Sequence, residues 1–180
     1  MTQRDLTREA KRLAKQLQHR DLRIVFSESC TGGLISASLT RVPGISAWHC
    51  GSAVVYRIET KARWLGISRE ILKKPGPVSR VVAAAMAEGV LAKTPEASIA
   101  ASITGHLGPE APSRMDGLIY VGIAVKTGKR RSDTPKTVVL RHRLPKGKST
   151  DSIAKLRVGR QMQAAEFVLQ NVSAFLEKTI

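Results

Sequence analysis

One short stretch constrains this chain more than any other: Ser27-Glu28-Ser29-Cys30-Thr31-Gly32-Gly33. It follows the apolar run Leu22-Arg23-Ile24-Val25-Phe26 and precedes Leu34-Ile35-Ser36-Ala37-Ser38-Leu39. The pattern predicts a buried strand, a tight turn and a helix start. Two adjacent glycines let the backbone approach a bound group closely. The helix N-terminus offers free N–H donors and partial positive charge, suited to a phosphate or a developing oxyanion. Ser29 sits at the turn, where its hydroxyl is either presented as a nucleophile or spent on capping the helix.

The rest of the chain reads as alternating helices and strands. Leu6, Ala10, Leu13, Ala14 and Leu17 recur at helical spacing, with Thr2 as a cap, and this helix ends near Gln18-His19-Arg20. The helix after Gly32 should stop around Arg41, ahead of the breaker Pro43-Gly44. A short strand is expected at Ala53-Val54-Val55-Tyr56, then a helix over 57–65 ended by Gly66, and a further helical turn over 69–72. Ser79 caps a helix from Arg80 to about Ala92. Strands follow at 97–103, 118–125 and 136–144, the last two as neighbours. Thr104 to Pro109 forms a second Gly-rich loop, and 149–178 is a closing helix with Gly159 as a point of interruption. This order predicts a single three-layer α/β/α domain with a mostly parallel sheet over residues 1–180, and no N-terminal partner domain. Ligands of such sheets collect at the carboxyl ends of the strands, where both Gly-rich loops should lie.

Composition narrows the class. Hydrophobic residues make up 42% of 180 and aromatics 4%, so the core is built from Val, Ile, Leu and Ala. Cys30 and Cys50 form neither a disulfide framework nor a zinc-site spacing, and the start carries no apolar targeting segment. A cytoplasmic chain with no membrane span and no metal is expected. Lys and Arg number 30 against 14 Asp and Glu, a balance of +16 that favours anionic partners without choosing among them. The basic segment 126–148 contains no aromatic residue for base stacking and no groove-reading helix, so specific nucleic-acid binding is not expected.

A serine needs a base to attack an amide or ester at neutral pH. None of His19, His49, His106 or His142 falls in a triad context, and Gly-x-Ser-x-Gly is absent. The alternative is a partly desolvated lysine. Lys61 is the best candidate: with parallel strands, the carboxyl ends bring Ser29, Tyr56 and Lys61 to one rim.

Glu28-Ser29-Cys30-Thr31-Gly32-Gly33 resembles the opening motif of the CinA C-terminal domain family, the nicotinamide-nucleotide amidohydrolases of the PncC type. Further family-like elements follow in order: Ser46-Ala47-Trp48, Tyr56-Arg57-Ile58-Glu59-Thr60-Lys61, Leu65-Gly66-Ile67, Gly76-Pro77-Val78-Ser79 and Ser102-Ile103-Thr104-Gly105-His106-Leu107-Gly108-Pro109. The resemblance implies hydrolysis of the carboxamide of nicotinamide mononucleotide, or a related amide, to the carboxylate and ammonia. It implies Ser29 as nucleophile, Lys61 as general base and Tyr56 as an orienting or relaying group. Glu28, Thr31, Gly32 and Gly33 would then join the substrate site, with backbone N–H groups after Ser29 holding the oxyanion or phosphate, and Thr104 and Gly105 would line the opposite wall. The resemblance further implies a nucleotide substrate, no cofactor and self-association into a homo-oligomer.

The chain departs from the family pattern at Ile58, where the family has Asn, and at Arg80, where it has Glu. The loop 110–116 lacks the family's glycines, and His106 replaces a small or apolar residue. These departures leave room for a retired paralogue that binds a nucleotide as sensor or scaffold, and the basic segment 126–148 for a third function, a basic nucleic-acid-associated protein.

Overall fold

The computed structural model describes residues 3–109, 111–128, 134–146 and 152–179. In chain order these form α1 (Gln3–His19), β1 (Ile24–Glu28), α2 (Leu34–Leu39), β2 (His49–Val54), α3 (Ile58–Leu65), α4 (Arg69–Lys73), α5 (Arg80–Lys93), β3 (Ile99–Gly105), β4 (Leu118–Val125), β5 (Lys136–Arg143) and α6 (Ile153–Thr179). The strands make one sheet in the order β2-β1-β3-β4-β5. β1 pairs in parallel with β2 and β3, and β4 is antiparallel to both β3 and β5. The sheet is therefore mixed, with β4 alone reversed.

Period-two alternation sorts each central strand between two cores. Ile24 and Phe26 of β1, Ile99, Ala101 and Ile103 of β3, and Ile119, Val121 and Ile123 of β4 join one cluster with α1, α2 and α6. Val25, Ala100 and Ala124 face the other way, toward Val82, Met86, Val90 and Leu91 of α5 and Leu65 and Leu72 of α3 and α4. That second face is made of small residues, and the reason is distance. A Cβ on Gly122 would lie 2.5 Å from the Ala83 carbonyl, and one on Gly89 would lie 2.5 Å from the Leu65 carbonyl. Ser102 Oγ fills the remaining gap, donating to the Ala83 carbonyl at 2.6 Å and accepting from the Gly122 amide at 3.2 Å. A chain with so few aromatics thus packs one layer by close backbone approach instead of by bulk.

Several boundaries differ from the sequence reading. β2 begins at His49 and ends at Val54, earlier than the apolar run 53–56 suggests. It is an edge strand of half-buried residues, so hydrophobicity does not mark its start; its backbone pairing to β1 does. β3 runs on through Thr104 and Gly105, which belong to the strand end and not to the loop. Gly159 leaves α6 unbroken. Ser79 caps α5 as expected, its Oγ accepting from the Val82 amide at 3.4 Å. Thr2, the expected cap of α1, and Ser149, the expected start of α6, lie outside the described residues, as do Glu110 and parts of the 126–148 segment.

Candidate active site

β1 ends at Glu28, and the chain turns sharply before α2. The turn depends on Gly32 and Gly33, whose φ angles of +63° and +98° are open to glycine and strained for other residues. It is held from beneath by one carboxylate. Glu28, fully buried, accepts from Thr31 Oγ1 (2.8 Å), the amides of Gly33 (3.0 Å), Ile35 (3.1 Å) and Ser36 (3.0 Å), and Ser52 Oγ (3.2 Å). These are the N–H groups that a helix start leaves free, and a carboxylate opposite the positive end of the helix is well placed to take them.

These bonds divide the expected binding set by position. Glu28, Thr31, Gly32 and Gly33 do not line the cavity above Ser29. The Gly33 amide is spent on Glu28 and the Gly32 amide on the Ser29 carbonyl (3.1 Å). They shape the turn. Nor does Ser29 cap the helix: Gly33 occupies the N-cap position of α2.

Because β1, β2 and β3 are parallel, their carboxyl ends form one rim. Lys61, in the second turn of α3, comes back under that rim and is 1% exposed. Its Nζ lies 2.9 Å from Ser29 Oγ, 2.6 Å from the Val55 carbonyl and 3.4 Å from the Tyr56 carbonyl. Burial pushes the Lys61 ammonium down from its ordinary 10.5 to about 8. A neutral amine keeps two N–H donors and one lone pair. With both carbonyls taking the N–H groups, the lone pair is left for the Ser29 hydroxyl proton.

Ser29, Cys30 and Lys61, all buried, form the inner end of a cavity of about 520 Å³. Burial also pushes the Cys30 thiol up to about 12, so it stays protonated beside the serine. Thr104 and Gly105 line the opposite wall, with Thr104 Oγ1 fixed to the Pro77 carbonyl at 2.8 Å. Tyr56, Ile58 and Ile153 stand exposed at the mouth. The Tyr56 hydroxyl accepts from Arg157 Nη2 at 2.9 Å. It is the Tyr56 main-chain carbonyl that meets Lys61.

The two departures at 58 and 80 separate in space. Ile58 lines the mouth, whereas Arg80 is directed at the Val139 carbonyl on β5 (2.6 Å) and does not line the cavity. His106 does line it.

α6 contributes what the sequence reading missed. Arg157, Arg160 and Gln161 share one helical face and each holds a different loop. Gln161 Nε2 donates to the Thr31 carbonyl (2.8 Å) in the serine turn. Arg160, 2% exposed, pairs with both oxygens of Asp116 (2.6 and 2.8 Å) and donates to the Leu107 carbonyl (3.2 Å), bracing the far wall. Arg157 Nη1 donates to the Gly108 carbonyl (3.0 Å) and lines the cavity. Among the described residues, no three His, Cys, Asp or Glu side chains converge as a metal site requires, and no helix is long and apolar enough to cross a membrane.

Comparison with known proteins bears on the family and the fold. The family model for the CinA C-terminal domain matches residues 6–146. A CinA-like protein of Dictyoglomus thermophilum is 46% identical over 112 residues, which are 61% of this chain and 27% of the relative. A CinA-like protein of Thermosynechococcus vestitus is 42% identical over 119 residues, 64% of this chain and 28% of the relative. The chain thus aligns with about a quarter of the length of these curated relatives. Among solved structures, a competence/damage inducible protein from Agrobacterium tumefaciens superposes with a TM-score of 0.79 at 29% identity, covering 97% of this chain and 96% of that one. A competence damage-inducible protein from Klebsiella pneumoniae shares the fold at a TM-score of 0.83 and 22% identity, covering 97% of this chain and 99% of that one.

Proposed function

Because the chain belongs to the CinA C-terminal domain family, we propose that it is an amidohydrolase that cleaves the carboxamide of nicotinamide mononucleotide, or of a closely related amide, with a Ser29–Lys61 pair. The observation that carries this reading is the 2.9 Å approach of Lys61 Nζ to Ser29 Oγ at the buried end of the cavity. A lysine neutral for part of the time near pH 8 is a competent general base.

In this reading Ser29 Oγ attacks the carboxamide carbon while its proton passes to Lys61 Nζ. The carbonyl oxygen becomes an oxyanion, and the donor assigned to it is the amide of Cys30, the turn residue after the nucleophile that lines the cavity. Collapse breaks the C–N bond, Lys61 returns the proton to the leaving nitrogen, and ammonia departs. An ester on Ser29 remains. Water then attacks it, its proton again taken by Lys61 and passed to Ser29 Oγ, and the carboxylate is released. Tyr56 takes part through its main chain, whose carbonyl helps aim the amine.

The test is to incubate the protein with nicotinamide mononucleotide and follow ammonia and the pyridine carboxylate together. Equimolar release supports the reading. Neither product from a folded protein overturns it for this substrate.

Ile58 favours a second reading. It puts an apolar side chain at the mouth where the family pattern has a polar one, which suits a nucleotide-binding paralogue that no longer turns over. Binding of the mononucleotide without ammonia release distinguishes it. In the basic segment, Lys126 and Arg143 spend donors on carbonyls of Pro95, Asp116 and Arg114, so part of that charge serves the fold.

A further inference from the structure

Arg8, Lys11, Arg12 and Lys15 lie along the middle of α1, and they fall into two kinds. Arg8 meets Asp5 and Glu9, and Arg12 holds both carboxylate oxygens of Glu177 at 2.8 and 2.9 Å. Lys11 and Lys15 have no ion-pair or hydrogen-bond partner among the described residues. They stand one turn apart on the same helical face, a like-charged pair that costs the helix stability.

That face looks onto a groove. Lys11, Ala14, Lys15 and Gln18, at i, i+3, i+4 and i+7, line one side, and the turn from Gly44 to Trp48 lines the other. Its volume is about 270 Å³, and it shares no lining residue with the Ser29 cavity. Two small residues open it. Ala14 puts a methyl where its buried neighbours on the same helix are Leu13 and Leu17. Gly44 stands at φ +79° before the short helical turn Ile45–Ala47, and a Cβ there would meet nothing within 4 Å.

Ile45, buried, and Trp48, half-buried, supply apolar surface. The Trp48 main chain is held on both sides: its amide donates to the Ile45 carbonyl at 2.9 Å, and its carbonyl accepts from the Ile24 amide at 2.8 Å. The indole N–H has no acceptor among the described residues. No Asp or Glu is among the described residues that line the groove. A fixed indole beside two unneutralised ammonium groups is complementary to a flat ring that carries negative charge. The volume falls below the roughly 300 Å³ at which drug-sized sites begin. It therefore suits one or two rings with one compact anionic group.

We propose that this groove is a second ligand site, which binds a planar aromatic carboxylate with its ring against Trp48 and its charge beside Lys11 and Lys15. The site stands apart from the Ser29 cavity and does not depend on the amidohydrolase reading.

The test titrates 2-naphthoate into nitrogen-labelled protein and follows the indole N–H resonances. The chain has two tryptophans, so Trp64→Phe assigns the Trp48 signal. The expected result is a saturable shift of that signal at probe concentrations up to about 5 mM. The affinity should be at least about threefold lower for the uncharged counterpart 2-naphthalenemethanol, and in Lys11→Gln/Lys15→Gln. Both lysines are exposed, so the double variant keeps the fold, which the remaining resonances report. Ala14→Leu fills the groove from α1 and should abolish the shift; if that variant does not fold, the lysine variant decides alone. Absence of a saturable shift in the parent overturns the proposal. So does an affinity that the uncharged probe or the lysine variant matches within about threefold, or binding retained by a folded Ala14→Leu.

Discussion

Lys61 Nζ lies 2.9 Å from Ser29 Oγ, although 32 residues separate them in the chain. Two parallel strands and one short helix create that approach, and burial makes it chemically useful. A base with its pKa pushed down to about 8 is inactive while protonated. We therefore expect kcat/KM to rise about tenfold per pH unit below about 8 and to level off above it. A profile flat between about pH 6 and 9 would remove Lys61 as the base.

The same burial has a thermodynamic consequence of definite sign. Below about pH 8, Lys61 is protonated in both folded and unfolded chains, and the folded state bears the full cost of the buried charge. Between about 8 and 10.5 the unfolded chain holds the proton more tightly, so stability rises with pH. Relative to Lys61→Met, the parent should gain about 3 kcal/mol on going from pH 7 to pH 10.5. Denaturant unfolding of both proteins at the two pH values checks this; a parallel response in parent and variant would contradict it.

Glu28 is the support of the serine turn. Glu28→Gln would set an NH₂ group either against the Gly33 and Ile35 amides at the Oε2 position or against the Ser36 amide at the Oε1 position, leaving buried donors unpaired in both cases. The expected loss is about 3 kcal/mol, with thermal unfolding the measurement. Activity should fall as well, because the displaced turn carries Ser29. An unfolding midpoint equal to the parent's would count against the capping role.

How far the site could be read from sequence follows from where each part lies. Ser29 was legible because strand, glycine turn and helix start are adjacent in the chain. Lys61 was legible because it lies on the short helix directly after the strand that pairs in parallel with β1. The role of Glu28 was harder: a carboxylate next to a candidate nucleophile reads as a ligand contact until its hydrogen bonds are seen to point inward. Thr104 and Gly105 reach the cavity wall as expected, but as the end of β3. Arg157 left no local signal, since 101 residues separate it from the hydroxyl it holds. Its spacing within a long basic and apolar helix marks a face without revealing which loops that face meets. Arg80 shows the opposite error: it departs from the family pattern, yet lies against β5, outside the cavity.

Asp116 and Arg160 form the second structural dependence. Asp116→Asn would leave the Arg160 guanidinium, 2% exposed, without its counter-charge. A loss of about 1 to 3 kcal/mol is expected. The hydrogen bond to Arg160 holds the Asp116 carboxyl below its ordinary 3.8. Its contribution is therefore present above that value and lost as pH falls through the lower folded one. Thermal melts of parent and Asp116→Asn should differ at pH 7 and converge in acid; equal melts at pH 7 would contradict the pairing.

Tyr56 separates main chain from side chain. Its carbonyl faces Lys61, whereas its hydroxyl is on Arg157. Tyr56→Phe keeps the former and loses the latter, so the larger effect should fall on KM, with kcat reduced less than about tenfold. A collapse of kcat with KM unchanged would restore the hydroxyl as a proton relay.

The most direct measurement is ammonia release from nicotinamide mononucleotide by the parent, Ser29→Ala and Lys61→Ala, each first shown to be folded by circular dichroism. The Ser29–Lys61 account predicts release by the parent and a loss of at least about a thousandfold in both variants, with the double variant no worse than either single one. Turnover by Ser29→Ala or Lys61→Ala near the parental rate would contradict it.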